Sequence, residues 1–313
     1  MIIITEFMDE AAIQMLRDYA AVHYDPTLAD RQHEIAGLIA QHQAQALIVR
    51  NRTQVNKALI EQAGASLNFV GRLGVGLDNI DQDQCKQHQI QVFPATGANS
   101  QAVCEFVIGA CLVLRRKIFH STETMIAGDW PRPQLSSGLE VFGAKLGLIG
   151  FGDIAFKVAK VARALGMELM VYDPFLNADS PKLTETDAKL VDLPLLLTSS
   201  DIVSLHVPLT PATHHLIDQD QLQTMKRGAI LINTARGGVV NEAALAAALK
   251  SNHLSGAALD VFASEPASAA DLEYFAGLDN VILTPHIAGV TQESNQRVSH
   301  MIARSIITAL KNL

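Results

Sequence analysis

The stretch from Lys145 to Pro174, "KLGLIGFGDIAFKVAKVARALGMELMVYDP", decides the fold of this chain. An apolar strand pattern ends at Gly150, and Gly150, Gly152 and Ala155 then fill the three small positions of G-x-G-x-x-G/A. The first glycine allows a tight turn, the second lets backbone N–H groups approach a pyrophosphate, and the third small residue lets helix and strand pack closely. The stretch therefore predicts a strand, a helix and a second strand that together bind a dinucleotide.

Asp173 closes the second of these strands and indicates which dinucleotide binds. A carboxylate in this place accepts hydrogen bonds from both ribose hydroxyls but repels a 2′-phosphate. The residues that follow, "PFLNADSP", contain no arginine to neutralise such a phosphate. The sequence therefore favours NAD over NADP. Asp153, in the first turn of the predicted helix, is an acid near the expected pyrophosphate, and its role is open at this point.

Apolar runs alternate with amphipathic segments on both sides of this stretch. Five strand candidates precede residue 98, and six lie between Lys145 and Gly289. Such alternation predicts an α/β protein with parallel sheets covered by helices, and six strands match a full dinucleotide-binding domain. A last amphipathic helix, with Val298, Met301, Ile302 and Ile306 on its apolar face, is expected to return to the first domain. We therefore expect a substrate-binding domain of residues 1–98 plus 290–313 and an NAD-binding domain of residues 99–289.

Composition limits the class of protein. With 49% hydrophobic and 18% charged residues, the 313-residue chain is expected to be compact and large enough for two domains. A net charge of −8 and a pI near 5.7 argue against nucleic-acid or membrane-surface binding. The start "MIIITEFMDE" has no signal-peptide pattern, so a cytoplasmic protein is expected. The three cysteines are interpreted as small buried side chains, and no metal is expected.

Three short stretches downstream carry candidate chemistry: "INTARGG", "LDVFASEP" and "LTPHIAG", which contain Arg236, Glu265 and His286. Each follows an apolar strand pattern, and the carboxyl ends of parallel strands are where open α/β sheets bind ligands. His286 suits proton transfer from a hydroxyl, Glu265 suits orienting the imidazole and favouring its protonated form, and Arg236 suits binding a carboxylate. Each residue alone has an ordinary structural interpretation, but three such residues on three strand ends favour a catalytic site.

In this order, the chain resembles the D-isomer-specific 2-hydroxyacid dehydrogenases over nearly its whole length. The segments that carry the resemblance are "GRLGVGLDNID", "GANSQAVCEF", "KLGLIGFGDIA", "VYDP", "LHVPLTPATHHLI", "INTARGG", "ALDVFASEP" and "LTPHIAG". The resemblance implies two flavodoxin- or Rossmann-like lobes with an active cleft between them and Arg236, Glu265 and His286 as the catalytic residues. It also implies a homodimer, in which the helix from Gln101 to Ile118 and the loop through Trp130 meet the second subunit. Trp130 as an ordinary packing residue remains the alternative.

The resemblance also implies the ligand contacts. Two departures from the family pattern are Asp153, where the family usually has arginine, and Ala155 at the third glycine. Substrate contacts are expected from Arg50, Arg52, Leu73, Val75, Gly76 and Arg236, with the Val75 and Gly76 N–H groups on the carboxylate. NAD contacts are expected from Gly150, Gly152, Asp153, Ile154, Asp173, His206, Val207, Pro208, Thr213, Thr234, Ala235, Arg236, Asp260, His286, Ala288 and Gly289.

Arg50 and Arg52 in "ALIVRNRTQ" bear on the substrate. On a strand period of two they would point the same way, and the Val75–Gly76 loop with Arg236 already accounts for one carboxylate. Two further arginines therefore indicate a second anionic group on the substrate. The alternative is that both are solvated or that one pairs with an acid.

Within the family, two groups with a doubly charged substrate resemble these segments: phosphoglycerate dehydrogenases and (S)-sulfolactate dehydrogenases. "EFMDE", "IVRNRTQV" and "GRLGVGLDNID" resemble the second group more closely. Sulfonate and phosphate are too similar in size and charge for the sequence to separate 3-sulfolactate from 3-phosphoglycerate. Two other functions stay open: a glyoxylate or hydroxypyruvate reductase with a monoanionic substrate, and an NAD(H)-sensing binding protein similar to the corepressors that share this fold.

Overall fold

The computed structural model describes residues 1–118 and 121–313, and it divides the chain into two compact units. Unit 1 comprises Met1–Asn99 and Val290–Leu313, and unit 2 comprises Ser100–Gly289. Each unit contains one sheet of parallel strands, so the prediction of an α/β protein is confirmed. No helix in the described part of the chain is both long and apolar enough to cross a membrane.

Unit 1 has a five-stranded sheet in the order β2-β1-β3-β4-β5, which is the flavodoxin order. Its strands are β1 (Ile2–Ile4), β2 (Val22–Tyr24), β3 (Ala46–Val49), β4 (Phe69–Arg72) and β5 (Gln91–Pro94). Its helices are α1 (Glu10–Arg17), α2 (Gln32–His42), α3 (Lys57–Ala63), α4 (Gln82–Gln87) and, from the end of the chain, α13 (Gln292–Lys311), with a short 3-10 turn at Leu28–Arg31.

Side-chain alternation along the strands builds two separate cores in unit 1. Ile3 and Leu47 belong to the core that α2 and α3 complete, whereas Ile2, Ile4 and Ile48 face the core that α1 and α13 complete. Because successive residues of a strand point to opposite faces, a run such as "III" is buried on both sides only when helices cover both. The last helix of the chain is thus part of the core of unit 1.

The buried face of α13 differs in one residue from the predicted one. Val298, Ile302 and Ile306 are buried at the spacing of one helix face, as expected. Met301 is 38% exposed, so its predicted place on that face is wrong. The face is completed instead by the small residues Ser299 and Ala303.

Unit 2 has a seven-stranded sheet in the order β12-β11-β10-β9-β6-β7-β8. Its strands are β6 (Lys145–Ile149), β7 (Glu168–Tyr172), β8 (Lys189–Leu190), β9 (Ile202–Leu205), β10 (Ile230–Asn233), β11 (Gly256–Leu259) and β12 (Val281–Leu283). Its helices are α5 (Ser100–Arg116), α6 (Ser121–Ile126), α7 (Arg132–Leu135), α8 (Asp153–Ala164), α9 (Pro181–Thr186), α10 (Leu193–Ser199), α11 (Gln219–Thr224) and α12 (Glu242–Lys250), with a 3-10 turn at Glu273–Phe275.

Six of these seven strands were predicted, and β8 was not. Two residues at the edge of the sheet are too few to show an alternating pattern. The chain order reverses between β6 and β9, which are neighbours in the sheet. In open α/β sheets a ligand binds outside the carboxyl ends of the strands at such a reversal, and the glycine-rich turn after β6 lies there.

Replacing Ile302 with alanine tests the packing of α13. Ile302 is fully buried, and its side chain lies against Gly71 on β4, so we expect Ile302→Ala to lower the free energy of unfolding by about 2–5 kcal/mol. Met301→Ala is the matched control, because an exposed substitution usually changes that free energy by about 0.5 kcal/mol or less. Urea denaturation followed by circular dichroism measures both variants. Equal losses would contradict this orientation of the helix.

Candidate active site

The turn after β6 has the geometry that the glycine pattern predicts. Gly150 has a φ of +86°, and a Cβ there would lie 2.7 Å from the carbonyl oxygen of His206, so a side chain is excluded on both counts. Gly152 is the N-cap of α8, and a Cβ there would meet no protein atom within 4 Å. Protein packing thus requires glycine at 150 but not at 152. Open space beside the first N–H groups of α8 is what a pyrophosphate requires.

Asp153, the first residue of α8, has a partner inside unit 2. Its Oδ2 accepts a hydrogen bond from Ser100 Oγ at 2.6 Å. Ser100 is the first residue of α5, so the bond joins the N-terminal ends of two helices. The carboxylate also complements the positive end of the α8 dipole. Its expected contact with NAD, and that of neighbouring Ile154, stays a prediction.

Two backbone N–H groups hold the Asp173 carboxylate at the end of β7. Phe151 donates to Oδ2 at 2.8 Å and Phe175 donates to Oδ1 at 2.9 Å. The first bond ties the end of β7 to the glycine-rich turn. Each oxygen still has a lone pair for a ribose hydroxyl, so the pair of elements suits the adenosine half of a dinucleotide.

The segment after β9 supplies the next predicted NAD contacts, His206, Val207, Pro208 and Thr213. Thr213 Oγ1 donates to the Pro208 carbonyl at 2.6 Å, which closes the turn between them. Nε2 of His206 lies 3.0 Å from Ser204 Oγ. Burial lowers the pKa of His206 to about 4, so this imidazole is neutral at pH 7 and adds no charge to the site.

A buried hydroxyl after β10 also fits a ligand. Thr234 Oγ1 is buried and has no hydrogen-bond partner among residues 1–118 and 121–313. Buried polar atoms are nearly always paired, so an unpaired one beside a binding site indicates a group that a ligand completes. With the open side of Gly152 and the tethered Asp173, the residues present fit NAD.

Arg236, Glu265 and His286 all lie at one edge of the seven-stranded sheet. Arg236 follows β10, Glu265 follows β11 and His286 follows β12. These strands are consecutive parallel neighbours, so their carboxyl ends are adjacent. The structure thus brings together three residues that are far apart in the chain.

His286 and Glu265 form a hydrogen-bonded pair. Nδ1 of His286 lies 2.7 Å from Oε2 of Glu265, and Oε1 accepts from the Phe262 N–H at 3.0 Å. Burial raises the pKa of Glu265, but the hydrogen bonds from His286 and Phe262 outweigh it, and Arg236 acts in the same lowering direction. The pKa of this carboxyl therefore lies below its ordinary value. Ionised Glu265 fixes the imidazole through Nδ1 and leaves Nε2 for a substrate proton.

Asp260 fixes the loop that carries His286. It is 1% exposed, and its carboxylate accepts from Thr284 Oγ1 at 2.6 Å and from the N–H groups of Ile287 and Ala288 at 2.8 Å each. The His286 N–H donates to the Asp260 carbonyl at 2.8 Å. These bonds hold His286 at a φ of +55°, a left-handed conformation that non-glycine residues rarely adopt. Asp260, expected only as an NAD contact, is thus also a structural anchor.

Sequence reasoning missed two residues that shape the Arg236 loop. Asn233, 2% exposed, accepts from the Ala235 N–H at 3.0 Å and donates from Nδ2 to the Arg236 carbonyl at 2.9 Å. A Cβ on Gly237 would overlap the Phe262 carbonyl, so the missing side chain lets this loop lie directly on the backbone of the loop after β11. The glycine pair in "INTARGG" is the sequence signal for that close approach.

Glu242 is a further carboxylate that sequence reasoning missed. From the first turn of α12, its Oε1 accepts from the Ala263 N–H at 2.7 Å and so supports the loop that carries Glu265. Burial raises the pKa of Glu242, and the negative charges of Asp271 and Glu265 add to the rise against the opposing hydrogen bond. In the sequence, it is indistinguishable from any acid at a helix N-terminus.

The loop of residues 50–53 in unit 1 differs from the prediction. β3 ends at Val49, so Arg50 and Arg52 lie beyond the strand, and the strand-based reason for a shared direction is wrong. Arg50 Nη2 donates to Asn295 Oδ1 at 3.1 Å, whereas Arg52 Nη2 forms an ion pair with Asp30. The alternative in which one arginine pairs with an acid thus holds for Arg52.

The predicted carboxylate-binding loop follows β4. Leu73 is buried, and its N–H donates to the Val49 carbonyl at 2.8 Å, which anchors the start of the loop. Within the described part of the chain, the N–H groups of Val75 and Gly76 donate no hydrogen bond, and Val75 is 37% exposed. Two adjacent N–H donors at the surface suit a carboxylate.

Comparison with known proteins follows the same lines. The profile described as "D-isomer specific 2-hydroxyacid dehydrogenase, NAD binding domain" matches residues 108–288. The (S)-sulfolactate dehydrogenase of Chromohalobacter salexigens is 48% identical over 99% of this chain and 98% of that protein. The D-3-phosphoglycerate dehydrogenase of Archaeoglobus fulgidus is 40% identical over 86% of this chain, which spans only 50% of that relative. The D-lactate dehydrogenase from Aquifex aeolicus, solved with NAD and lactic acid, superposes with a TM-score of 0.85 at 27% identity over 100% of this chain and 96% of that one.

Alanine at the two glycines separates packing from ligand binding. Gly237→Ala forces a methyl group into the Phe262 carbonyl, and we expect it to lower the free energy of unfolding by about 1–3 kcal/mol. Gly152→Ala meets no protein atom, so unfolding should change by less than about 1 kcal/mol while NAD binding weakens. Thermal denaturation and calorimetric titration with NAD measure the two effects. A large loss of stability in Gly152→Ala would show that its role is structural.

Proposed function

The chain belongs to the D-isomer-specific 2-hydroxyacid dehydrogenase family, and we propose that it acts on a D-configured 2-hydroxy acid with a second anionic group, namely 3-sulfolactate. The Glu265–His286 hydrogen bond at the NAD-binding edge of the sheet carries the reaction, since it is the proton-transfer pair that the oxidation of a hydroxyl requires. The near full-length likeness to a sulfolactate dehydrogenase supports this substrate over 3-phosphoglycerate. The S label of that relative fits a D-type site, because sulfur outranks the carboxyl carbon in naming priority.

The proposed mechanism uses three side chains of unit 2. Bound NAD supplies the hydride acceptor or donor. His286 takes the proton of the C2 hydroxyl at Nε2 during oxidation and returns it during reduction, while Glu265 stabilises the imidazolium through Nδ1. Arg236 binds the substrate carboxylate and polarises the oxygen on C2.

Unit 1 supplies the remaining proposed substrate contacts. The N–H groups of Val75 and Gly76 bind the carboxylate together with Arg236, and Leu73 anchors that loop. Arg50 and Arg52 bind the sulfonate. The support for this assignment is the presence of two guanidinium groups in one short loop after β3.

The Arg52–Asp30 ion pair favours a second candidate function. A guanidinium that already has a carboxylate partner attracts another anion less strongly, so a monoanionic acid such as glyoxylate or hydroxypyruvate becomes the competing substrate. The two candidates differ in whether the arginines of this loop affect substrate preference.

We further propose that the enzyme is a cytoplasmic homodimer. Unit 2 exposes several large apolar side chains between residues 118 and 142: Ile126 is 82% exposed, Phe142 77% and Trp130 71%. Exposed apolar groups clustered in one segment are typical of a protein interface, and here a second copy of this chain is the proposed partner. All three cysteines are free, which suits a reducing compartment.

A substrate panel with Arg50→Ala and Arg52→Ala tests the second anion site. With 3-sulfopyruvate and 3-phosphohydroxypyruvate as dianions and hydroxypyruvate and glyoxylate as monoanions, we expect each variant to lose about tenfold or more in kcat/KM for the dianions only. Arg17→Ala, which removes an exposed arginine of the same unit, is the matched control. NADH oxidation measures all rates. Equal losses for every acid, or none, would leave the monoanionic function in place.

The pH dependence of Glu265→Gln tests the catalytic pair. The pKa of Glu265 lies below its ordinary value, so its interaction with His286 is present above that ordinary value and is lost as the pH falls through the lowered pKa. Glutamine removes the charge that favours the imidazolium, so the upper pH limit of 2-oxo acid reduction should move down by about one unit, with a lower kcat. The surface variant Glu273→Gln should leave the pH profile unchanged, and an unchanged profile in Glu265→Gln would refute the assignment.

A further inference from the structure

Glu6, immediately beyond β1, is a buried carboxylate that the proposed reaction does not use. It is 4% exposed, and its two oxygens accept from the backbone N–H groups of four consecutive residues. Oε1 accepts from Arg50 at 2.8 Å and Thr53 at 3.0 Å, and Oε2 accepts from Arg52 at 3.0 Å and Asn51 at 3.3 Å. These four residues form the loop that carries both proposed sulfonate-binding arginines.

Consecutive N–H groups that converge on one point form a nest for an anion. In this loop the nest is already filled, because Glu6 uses all four donors. A buried carboxylate is costly unless it is fully hydrogen-bonded, and these bonds satisfy both oxygens. Any anion recognised by this loop must therefore bind to its guanidinium groups and not to its backbone.

The carbonyl groups of the same loop are held from the other side by Asn79. Nδ2 of Asn79, a residue that is 7% exposed, donates to the Arg50 carbonyl at 3.2 Å and to the Thr53 carbonyl at 2.6 Å. The carbonyl of Asn79 accepts from the Val55 N–H at 2.8 Å. The hydroxyls of Thr5 and Thr53 lie 2.8 Å apart and add a further link to the end of β1.

Asn79 belongs to the segment that begins with the carboxylate-binding donors of Val75 and Gly76. The loop of residues 50–53 and the loop of residues 73–79 are thus joined inside unit 1, with Glu6 on the donor side of the first loop and Asn79 on its acceptor side. This network fixes the spacing between the N–H groups for one anion and the guanidinium groups for the other.

The charge of Glu6 also acts on Arg50. Burial lowers the pKa of Arg50, and the negative charge of Glu6 opposes that change. Glu6 therefore keeps a partly buried guanidinium ionised without occupying its N–H donors, since its printed hydrogen bonds all go to the backbone. The side chain of Arg50 instead donates to Asn295, at the start of α13.

From these contacts we propose that Glu6 is a positioning residue that sets the preference for a dianionic substrate. It orients the loop of residues 50–53 and holds Arg50 in its charged form, and it touches neither substrate nor cofactor itself. The proposal rests on the proposed binding of a second anionic group by Arg50 and Arg52.

Glu6→Gln tests the proposal at constant size. The amide would turn donor hydrogens toward two backbone N–H groups, so the loop shifts and KM for 3-sulfopyruvate should rise about tenfold. KM for hydroxypyruvate and for NADH, and kcat for both acids, should change by less than about twofold. Glu10→Gln is the matched control, because it removes a carboxylate from the same segment at an exposed position. A KM increase that is equal for both acids would overturn the proposal.

Glu6→Ala with added acetate gives a second, independent measurement. The truncation leaves space for the lost carboxymethyl group beside four N–H donors, which acetate matches in shape and charge. We expect acetate, and not chloride at equal ionic strength, to restore both the melting temperature and the preference for 3-sulfopyruvate. Restored stability without restored preference would show that Glu6 is only structural. Should Glu6→Ala not fold, Thr5→Val, which removes only the hydroxyl link to Thr53, must lower the same preference for the proposal to stand.

The arginine variants separate this proposal from the function on which it rests. If Arg50→Ala and Arg52→Ala lose the preference for dianions while Glu6→Gln keeps it, the positioning role is wrong and the proposed substrate stands. If the arginine variants keep the preference, the second anion site itself is wrong, and the role of Glu6 in it is wrong as well.

Discussion

Buried carboxylates that accept the backbone N–H groups of loops are the interaction on which both candidate sites depend. The loops at the carboxyl ends of parallel strands leave the sheet with unpaired N–H groups, and those groups must find acceptors. Glu6 satisfies the loop after β3, Asp173 ties the ends of β6 and β7 together, and Asp260 satisfies the loop after β12. In each case a charged group close to the site stabilises the backbone, and other residues are left to carry the chemistry.

This division of labour explains how the catalytic imidazole is placed. Asp260 and Glu265 both lie after β11, and the first holds the backbone of His286 while the second holds its ring. Two separate carboxylates therefore control the position and the protonation of one side chain. The left-handed conformation of His286 is maintained by bonds that do not involve its imidazole, so the ring can exchange a proton without releasing the loop.

The same principle bears on substrate choice in unit 1. Because Glu6 occupies the backbone donors of the loop after β3, selectivity there depends on side chains, and side chains are more easily altered by substitution than backbone. Each arginine of the loop is accompanied by an acid: Asp30 pairs with Arg52, and the charge of Glu6 acts on Arg50. Such neighbours moderate the attraction for a dianion and keep both guanidinium groups in place.

The sequence alone was sufficient for what repeats along the chain or is read from a short motif. Apolar alternation predicted all five strands of unit 1 and six of seven in unit 2, and the glycine pattern placed the turn at Gly150 and Gly152. The approximate periodicity of the last helix failed only at Met301, where the exact rotation of the helix matters. These features are local, since a strand or a turn depends mainly on its own residues.

Tertiary structure decided everything that depends on a partner distant in the chain. The sequence could not show that Asp153 meets Ser100, that Glu6 fills the nest of residues 50–53, or that Arg52 pairs with Asp30. It also could not separate the two tasks of Asp260, nor show that Arg50 and Arg52 lie beyond their strand. Hydrogen bonds and ion pairs between remote segments are set by packing, and no local pattern of residue types encodes them.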